Sequence, residues 1–473
     1  MRVLLVNPRY AGGSRNFPLG LGYLAAVARA AGHEVEALDV NALGLSDAEI
    51  EKRLAAGRWE VFGLTGLITE YRFIVGLAQT IRRLHPEARM VAGGGLATAV
   101  PEHLVATAPL DAAVIGEGEA AFPELLAAFS AGGDLAAVPG LCILKDGQPH
   151  ITPPREHIQD LDALPLPAWE LFPVEFYLRG PKKLFNSAIR SMNVEATRGC
   201  PFQCAFCYKE AWGSRVRRRS AASVVAELRE LKRRFNVQAA AFVDDLFTAK
   251  RSWTVEFCER LRAEKLGVHW ACNSRVDTLD EELLGLMRAA GCVVIAYGLE
   301  SGSPAILKAM HKEIDLPRAE WAIKATRRAG IEVLPYMAMG MPEETPETMA
   351  ETVAFCRRAR LYTRFSIITP LPGSEVYRRA VETGKVGSLE KLLDTWQHYG
   401  RGITVNLTAM SDAELLALKA RSERAILISY LFHGWRHYLA RVWTYWRAFG
   451  FRAAAQVLLD GAGKLAARLR RRT

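Results

Sequence analysis

Three cysteines, Cys200, Cys204 and Cys207, fall within eight residues of the stretch TRGCPFQCAFCY, spaced C-x3-C-x2-C. Thiols at that density on one short segment are soft-metal ligands and not a fragment of core. Their number matters. Structural zinc is closed by four ligands, whereas a [4Fe–4S] cluster held by three thiolates keeps one iron open for a further ligand. No other Cys or His stands nearby to close a zinc site, the next cysteine being Cys258. An incomplete zinc site and chance clustering are the competing readings.

A loop of this kind needs a strand to carry it, and the apolar run Met192 to Ala196 leads directly into it. From there strand and helix patterns alternate six times. The strands are read at Met192–Thr197, Ala239–Val243, Val268–Cys272, Val293–Tyr297, Val333–Met337 and Phe365–Thr369. Six parallel βα units make a partial barrel over residues 191–385, with its site at the carboxyl ends of the strands. Candidate ligand-facing residues gather at those ends: Asp244 and Asp245, Asn273 and Arg275, Glu300 and Ser301, then Gly340 in GMPEET and Pro370 in TPLPGSEVY. Carboxylates and amides suit hydroxyl and ammonium groups, and Arg275 suits a carboxylate. For Asp244, Asp245 and Ser303, capping of the next helix is the competing role. The basic run RVRRRS, Arg215 to Ser220, reads either as an anion contact or as a solvated helix entry.

Residues 1–130 also alternate strand and helix, which implies a doubly wound, Rossmann-like parallel sheet. Glycines collect at its strand ends: Gly66 after Thr65 in GLTG, Gly93, Gly94 and Gly95 in AGGG, and Gly116 and Gly118 flanking Glu117 in IGEGE. They let main chain approach a ligand, although ordinary tight turns use glycine too. No G-x-G-x-x-G follows the first strand, which disfavours a dinucleotide. Residues 131–190 read as a connector, a hairpin turning at Asp146-Gly147 and then an extended stretch around Pro165, Pro167 and Pro173. Residues 386–473 read as helical.

Composition narrows the classes. Half of the 473 residues are apolar, enough for sizeable cores. No apolar stretch is long enough to span a membrane, and the expected location is the cytoplasm. Cys142, Cys258, Cys272, Cys292 and Cys356 read as buried free thiols. The net charge is +10, yet eleven Lys and Arg against Glu423 and Asp460 give Arg421–Thr473 a local +9. A basic catalytic surface for nucleic acid does not fit that distribution. In this tail Tyr430, Phe432, Trp435, Tyr438, Trp443, Tyr445, Trp446, Phe449 and Phe451 alternate with Arg436, Arg441, Arg447 and Arg452. Two roles stand open: peripheral contact with a membrane surface, or rings packed on the barrel with arginines in water.

The cluster motif, with Phe206 before its last cysteine and Tyr208 after it, resembles that of the radical S-adenosylmethionine (SAM) enzymes. The order of the domains, with FPLGLGYLAA, AGGG and DAAVIGEGE in the first, resembles the cobalamin-dependent subfamily. One departure is informative. VNPRYAGG stands where a D-x-H-x-x-G would follow the first strand.

The resemblance implies three cofactors: a [4Fe–4S] cluster on Cys200, Cys204 and Cys207, SAM, and cobalamin without a protein histidine on cobalt. It implies that Phe206, Tyr208, Asp244, Asp245, Asn273, Arg275, Glu300, Ser301, Gly340 and Pro370 serve cluster and SAM. Glu300 would take the ribose or amino group, and main chain near Gly340 and Pro370 the adenine. Thr65, Gly66, Gly93–Gly95 and Gly116–Gly118 would serve cobalamin. The implied activity is methylation of an unactivated carbon or phosphorus centre of a small-molecule intermediate, with flavodoxin or ferredoxin as electron donor; the aromatic, basic tail points to a hydrophobic or membrane-presented substrate. Oxidative cyclisation or rearrangement is the alternative. Methylthio transfer would need a second cluster, and only Cys142 precedes the motif. A corrinoid sensor without catalysis would leave the three thiolates unused.

Overall fold

The computed structural model describes residues 1–10, 14–179, 184–209, 211–396 and 402–470. The chain divides into two compact units, Met1–Phe176 with Phe206–Arg217 and Pro370–Thr404, and Tyr177–Ala205 with Arg218–Thr369 and Val405–Thr473.

In the first unit the strands are β1 (Arg2–Asn7), β2 (Glu34–Asp39), β3 (Val61–Thr65), β4 (Arg89–Gly93), β5 (Ala112–Val114), β6 (Leu141–Lys145) and β7 (Gln148–Ile151). Their spatial order is β2-β1-β3-β4-β5-β6-β7. The first five run parallel, and the run Val3–Asn7 is buried throughout because helices cover both faces. Chain order reverses beside β1, which creates a crevice at the carboxyl ends of β1 and β3. The β6–β7 hairpin, assigned from sequence to the connector, is an antiparallel extension of this sheet through β5. Its turn is the expected one: Asp146 and Gly147 both have positive φ, 51° and 77°. The buried Leu141 and Ile143 attach the hairpin by packing with Ala121 and Leu125.

The second unit carries β8 (Ser191–Val194), β9 (Ala239–Phe242), β10 (His269–Ser274), β11 (Cys292–Glu300), β12 (Glu332–Met339) and β13 (Phe365–Ile367). They are all parallel, in the same order in space as in sequence, and the sheet curls into a half-barrel. Ser220, Asp280, Asp315 and Thr345 cap the intervening helices by accepting a backbone N–H three residues on. One face of the sheet is filled by Phe242, Phe247, Phe257 and Trp270 in edge-to-face and tilted contacts.

The alternate positions in β9 are the small Ala239 and Ala241, and the room they leave is taken by the tail. Helices Asp412–His433, Trp435–Phe449 and Phe451–Arg470 form this tail. Tyr445 is fully buried with Ala239, Ala241, Ala271 and Val293, and its hydroxyl donates to the Leu184 carbonyl at 3.3 Å. Asn186 Nδ2 donates to the Ala453 carbonyl, and Arg441 pairs with Glu332 at 3.1 Å. Packing on the barrel therefore accounts for part of the aromatic set. Phe432, Trp435, Trp443, Trp446 and Phe451 remain exposed.

Candidate functional site

Cys200 and Cys204 are partly exposed and Cys207 is exposed, on the loop that follows β8. The other five cysteines are buried. Burial raises the thiol of Cys142 to about 11 and that of Cys356 to about 12, and pushes Cys258 and Cys272 upward as well. A thiol held protonated in an apolar core is a poor ligand, so only the loop presents usable soft donors. Among the described residues no three His, Cys, Asp or Glu side chains are gathered as a metal site. The fit of an iron–sulfur cluster to this loop rests on the chemistry of the donor set.

Two contacts among the described residues help to hold the loop. The Ala205 N–H donates to the Met310 carbonyl at 3.0 Å. The Arg275 guanidinium stacks on the Phe202 ring, 3.7 Å from its centroid. Arg275 is also paired with Asp277 at 2.8 Å and donates to the Glu313 carbonyl. Its charge is thus spent inside the protein, and its visible work is to hold Phe202, between the first two cysteines.

The other strand-end residues divide into three kinds. Asp244 and Ser301 are structural ties. The Asp244 carboxylate accepts the Ala196 N–H at 3.1 Å, joining the ends of β8 and β9, and burial raises its pKa to about 7. Ser301 meets Thr352 at 2.9 Å and accepts from the Ser303 N–H. Asn273 and Ser303 instead carry unmet polar atoms. Asn273 donates to the Asp244 carbonyl, while its Oδ1, like Ser303 Oγ, is buried without a partner among the described residues. Ser303 stands at the helix N-cap, yet its side chain makes no capping bond. Unmet buried polar atoms are rare, and these two suit a polar ligand such as SAM. The third kind is backbone in the left-handed region. Glu300 has φ of 63° and pairs with Lys312 at 3.1 Å; Gly340 has φ of 97°, and its N–H donates to Glu344 Oε2 at 3.3 Å. A non-glycine residue held at positive φ stores strain of the sort found at ligand sites. Asp245 is exposed, Phe206 and Tyr208 are half-buried and Pro370 is buried.

In the first unit Thr65 and Gly66 lie at the carboxyl end of β3, beside the crevice, and Gly93, Gly94 and Gly95 at that of the adjoining β4. Gly94 has φ of 79°, and an added Cβ would stand 2.7 Å from Thr65 Oγ1 and 3.2 Å from the Gly66 carbonyl. Main chain can approach a flat macrocycle there because nothing projects from it. Gly116 follows β5, and its N–H donates to Thr98 Oγ1 at 3.0 Å. Three histidines of this unit bond to groups away from the glycine turns, whereas His157 lies beside Gly213 and precedes Ile158, whose N–H donates to Glu117. His33 and His85 precede β2 and β4, against the Met1 amino group and the Leu54 carbonyl, and His103 meets Tyr71. The glycine turns fit a corrinoid bedded on main chain.

Glu117 behaves differently from the glycines beside it. Its carboxylate pairs with Arg217 at 2.7 and 2.8 Å, both side chains being only 3% exposed, and it accepts the Ile158 N–H at 2.7 Å. Arg217 further donates to the Ile158 and Trp212 carbonyls. The neighbouring Arg219 is buried against Glu227. RVRRRS is therefore neither a solvated entry nor a simple anion patch: two of its arginines neutralise buried carboxylates. Arg218 alone of these three keeps a buried Nε without a partner among the described residues. Sequence reasoning missed the Glu117–Arg217 and Arg275–Phe202 contacts, whose signals are single residues far apart in the chain.

Two family models match the chain: the B12 binding domain over residues 12–126 and the radical SAM superfamily over residues 194–356. An uncharacterized methyltransferase of Pyrococcus horikoshii is 31% identical, covering 80% of this chain and 83% of that protein. The anaerobic magnesium-protoporphyrin IX monomethyl ester cyclase of Rubrivivax gelatinosus is 29% identical over 83% of this chain and 72% of its own. In fold, the chain matches the radical SAM methyltransferase TsrM of Kitasatospora setae, solved with cobalamin and a [4Fe–4S] cluster. The TM-score is 0.69 at 23% identity, over 81% of this chain and 75% of that one.

Proposed function

Because the chain belongs to the cobalamin-dependent radical SAM enzymes, whose cofactors are a [4Fe–4S] cluster, SAM and cobalamin, we propose that it methylates an unactivated carbon or a phosphorus centre of a small biosynthetic intermediate. The observation that carries the reading is the joining of B12-binding and radical SAM segments in one chain, together with a methyltransferase relative alike over most of its length. When bound, these groups supply a hydrogen-abstracting radical and a transferable methyl, which an sp3 carbon without a lone pair requires.

The residues have distinct tasks. Cys200, Cys204 and Cys207 hold the cluster, and Arg275 holds their loop through Phe202. Asn273 Oδ1 and Ser303 Oγ, with Glu300 and the main chain at Gly340, take the polar groups of SAM. Thr65, Gly66, Gly93–Gly95 and Gly116–Gly118 would bed the corrinoid with main chain, without a histidine ligand. A flavodoxin- or ferredoxin-class protein delivers the electron.

The second reading, oxidative cyclisation without methyl transfer, is favoured by the likeness to the cyclase. One experiment separates the two. Anaerobic turnover of the reconstituted protein with SAM, a reductant and candidate extracts is followed for 5′-deoxyadenosine and S-adenosylhomocysteine, with and without cobalamin. Methylation requires both products, the second only with cobalamin present. Formation of 5′-deoxyadenosine alone with a consumed substrate would replace methylation by the cyclase reading.

A further inference from the structure

The Trp435–Phe449 helix has two working faces, and only one of them is used by the fold. Tyr438, Arg441, Tyr445 and Phe449 turn toward the barrel, where Tyr445 is buried and Arg441 meets Glu332. Trp435, Leu439, Trp443 and Trp446 are 47–54% exposed. At 3.6 residues per turn these four lie within an arc of about 80° beside the buried face. Arg436 and Arg447 border the far side of that stripe, and both are exposed. The apolar row begins earlier, with Ile428, Leu431 and Phe432 at the end of the Asp412–His433 helix, and Phe451 and Leu459 follow on the last helix at 76% and 65% exposure.

Large apolar side chains gathered in the open along one helix face mark a contact site. Charge selects the occupant. Arg421–Thr473 carries eleven Lys and Arg against two acids. A second copy of the same face would set two such charges against each other, whereas an anionic surface neutralises them. Indole rings with flanking arginines match the headgroup layer of a bilayer, rings at the acyl boundary and guanidiniums on phosphate. No described helix is long and apolar enough to cross a membrane, so the contact would lie along the interface.

The geometry points to docking of this face on an anionic lipid bilayer. Of the barrel residues under the tail, Ala239, Ala271, Val293 and Val294 lie in the first halves of their strands, and the cysteine loop follows the carboxyl end of β8. Docking by the tail thus leaves the cluster end of the barrel uncovered. It holds the enzyme at a membrane, whatever group it transfers, and rests on no part of the methylation reading.

The test is co-sedimentation of the full-length protein with phosphatidylcholine vesicles and with vesicles containing phosphatidylglycerol. Removing the whole tail would uncover the barrel floor, so exposed point changes are preferred. Binding is expected on the anionic vesicles alone, weakening as salt rises. The Arg436→Gln/Arg447→Gln variant should lose roughly ten- to thirtyfold in partitioning, at about fivefold per arginine. Trp435→Ser/Trp443→Ser/Trp446→Ser should lose at least about tenfold, with unchanged circular dichroism. Failure of the native protein to bind anionic vesicles would overturn the proposal. So would equal binding by the variants, or a shift from dimer to monomer in the tryptophan variant on ultracentrifugation, which would make a second copy the occupant.

Discussion

Neutralising Arg217 tests whether the segment after the cluster cysteines is fastened to the first unit's glycine turn. Glu117 and Arg217 are each 3% exposed in their side chains and share two contacts of 2.7 and 2.8 Å. Arg217→Met would leave the buried Glu117 carboxylate without its guanidinium, and would remove the Arg217 donor from the Ile158 and Trp212 carbonyls. Removing one partner of a buried pair costs about 3–5 kcal/mol, because the other charge stays desolvated. If the segment opens locally, that lowers its opening free energy and raises amide exchange by about a hundredfold to a few thousandfold. The assay is hydrogen exchange by mass spectrometry over residues 208–217, 116–118 and 158. The Trp212 and Gly213 amides, bonded to the Lys209 carbonyl, report directly. Glu117→Gln/Arg217→Met removes both charges, and should recover at least about tenfold of the lost protection. Wild-type exchange in Arg217→Met, or a double variant no better protected than the single one, would refute the coupling.

Three further outcomes are expected. Cys204→Ala should lose the iron–sulfur absorbance and SAM cleavage together; retained cleavage would show a wrong ligand set. Gly94→Ala forces an L-residue to φ of 79° with its Cβ 2.7 Å from Thr65 Oγ1. The backbone cost alone is about 1–2 kcal/mol, so cobalamin retention should fall about tenfold while cluster content stays unchanged. Asp244 gives a pH signature. Its pKa, raised by burial to about 7, exceeds the ordinary carboxylate value, so the folded state keeps a proton that the unfolded state releases. Its penalty on stability is absent at acid pH, grows from about pH 4 to 7, and stays constant above, reaching on the order of 4 kcal/mol. Asp244→Asn should therefore gain in melting temperature relative to wild type across that window; a difference independent of pH would contradict it.

The strands and the cysteine loop were legible because their signals are local. Short apolar runs of three to six residues matched β1–β5 and β8–β13 within a few residues. Asp146-Gly147 gave the hairpin, though not its partner: nothing in LCILK says that β6 will pair with β5. The charged residues were least legible. A basic run looks the same whether its acids lie in solvent or in the core, and Arg217 meets an acid 100 positions earlier. Arg275 looked ready for a carboxylate until Phe202 and Asp277 were brought to it. The tail's two readings could not be separated by composition because one helix carries both kinds of ring, Tyr445 packed on the barrel and Trp435, Trp443 and Trp446 exposed.

The central claim is that one chain holds an open iron–sulfur cluster and a cobalamin without histidine ligation. Anaerobic reconstitution with iron, sulfide and hydroxocobalamin, then desalting and a visible spectrum, tests it most directly. Cobalamin retained beside an iron–sulfur band is expected, with the corrinoid spectrum unchanged on replacing any histidine, His157 beside Gly213 included. An iron–sulfur band without retained cobalamin, or a corrinoid spectrum that shifts with one histidine, would contradict it.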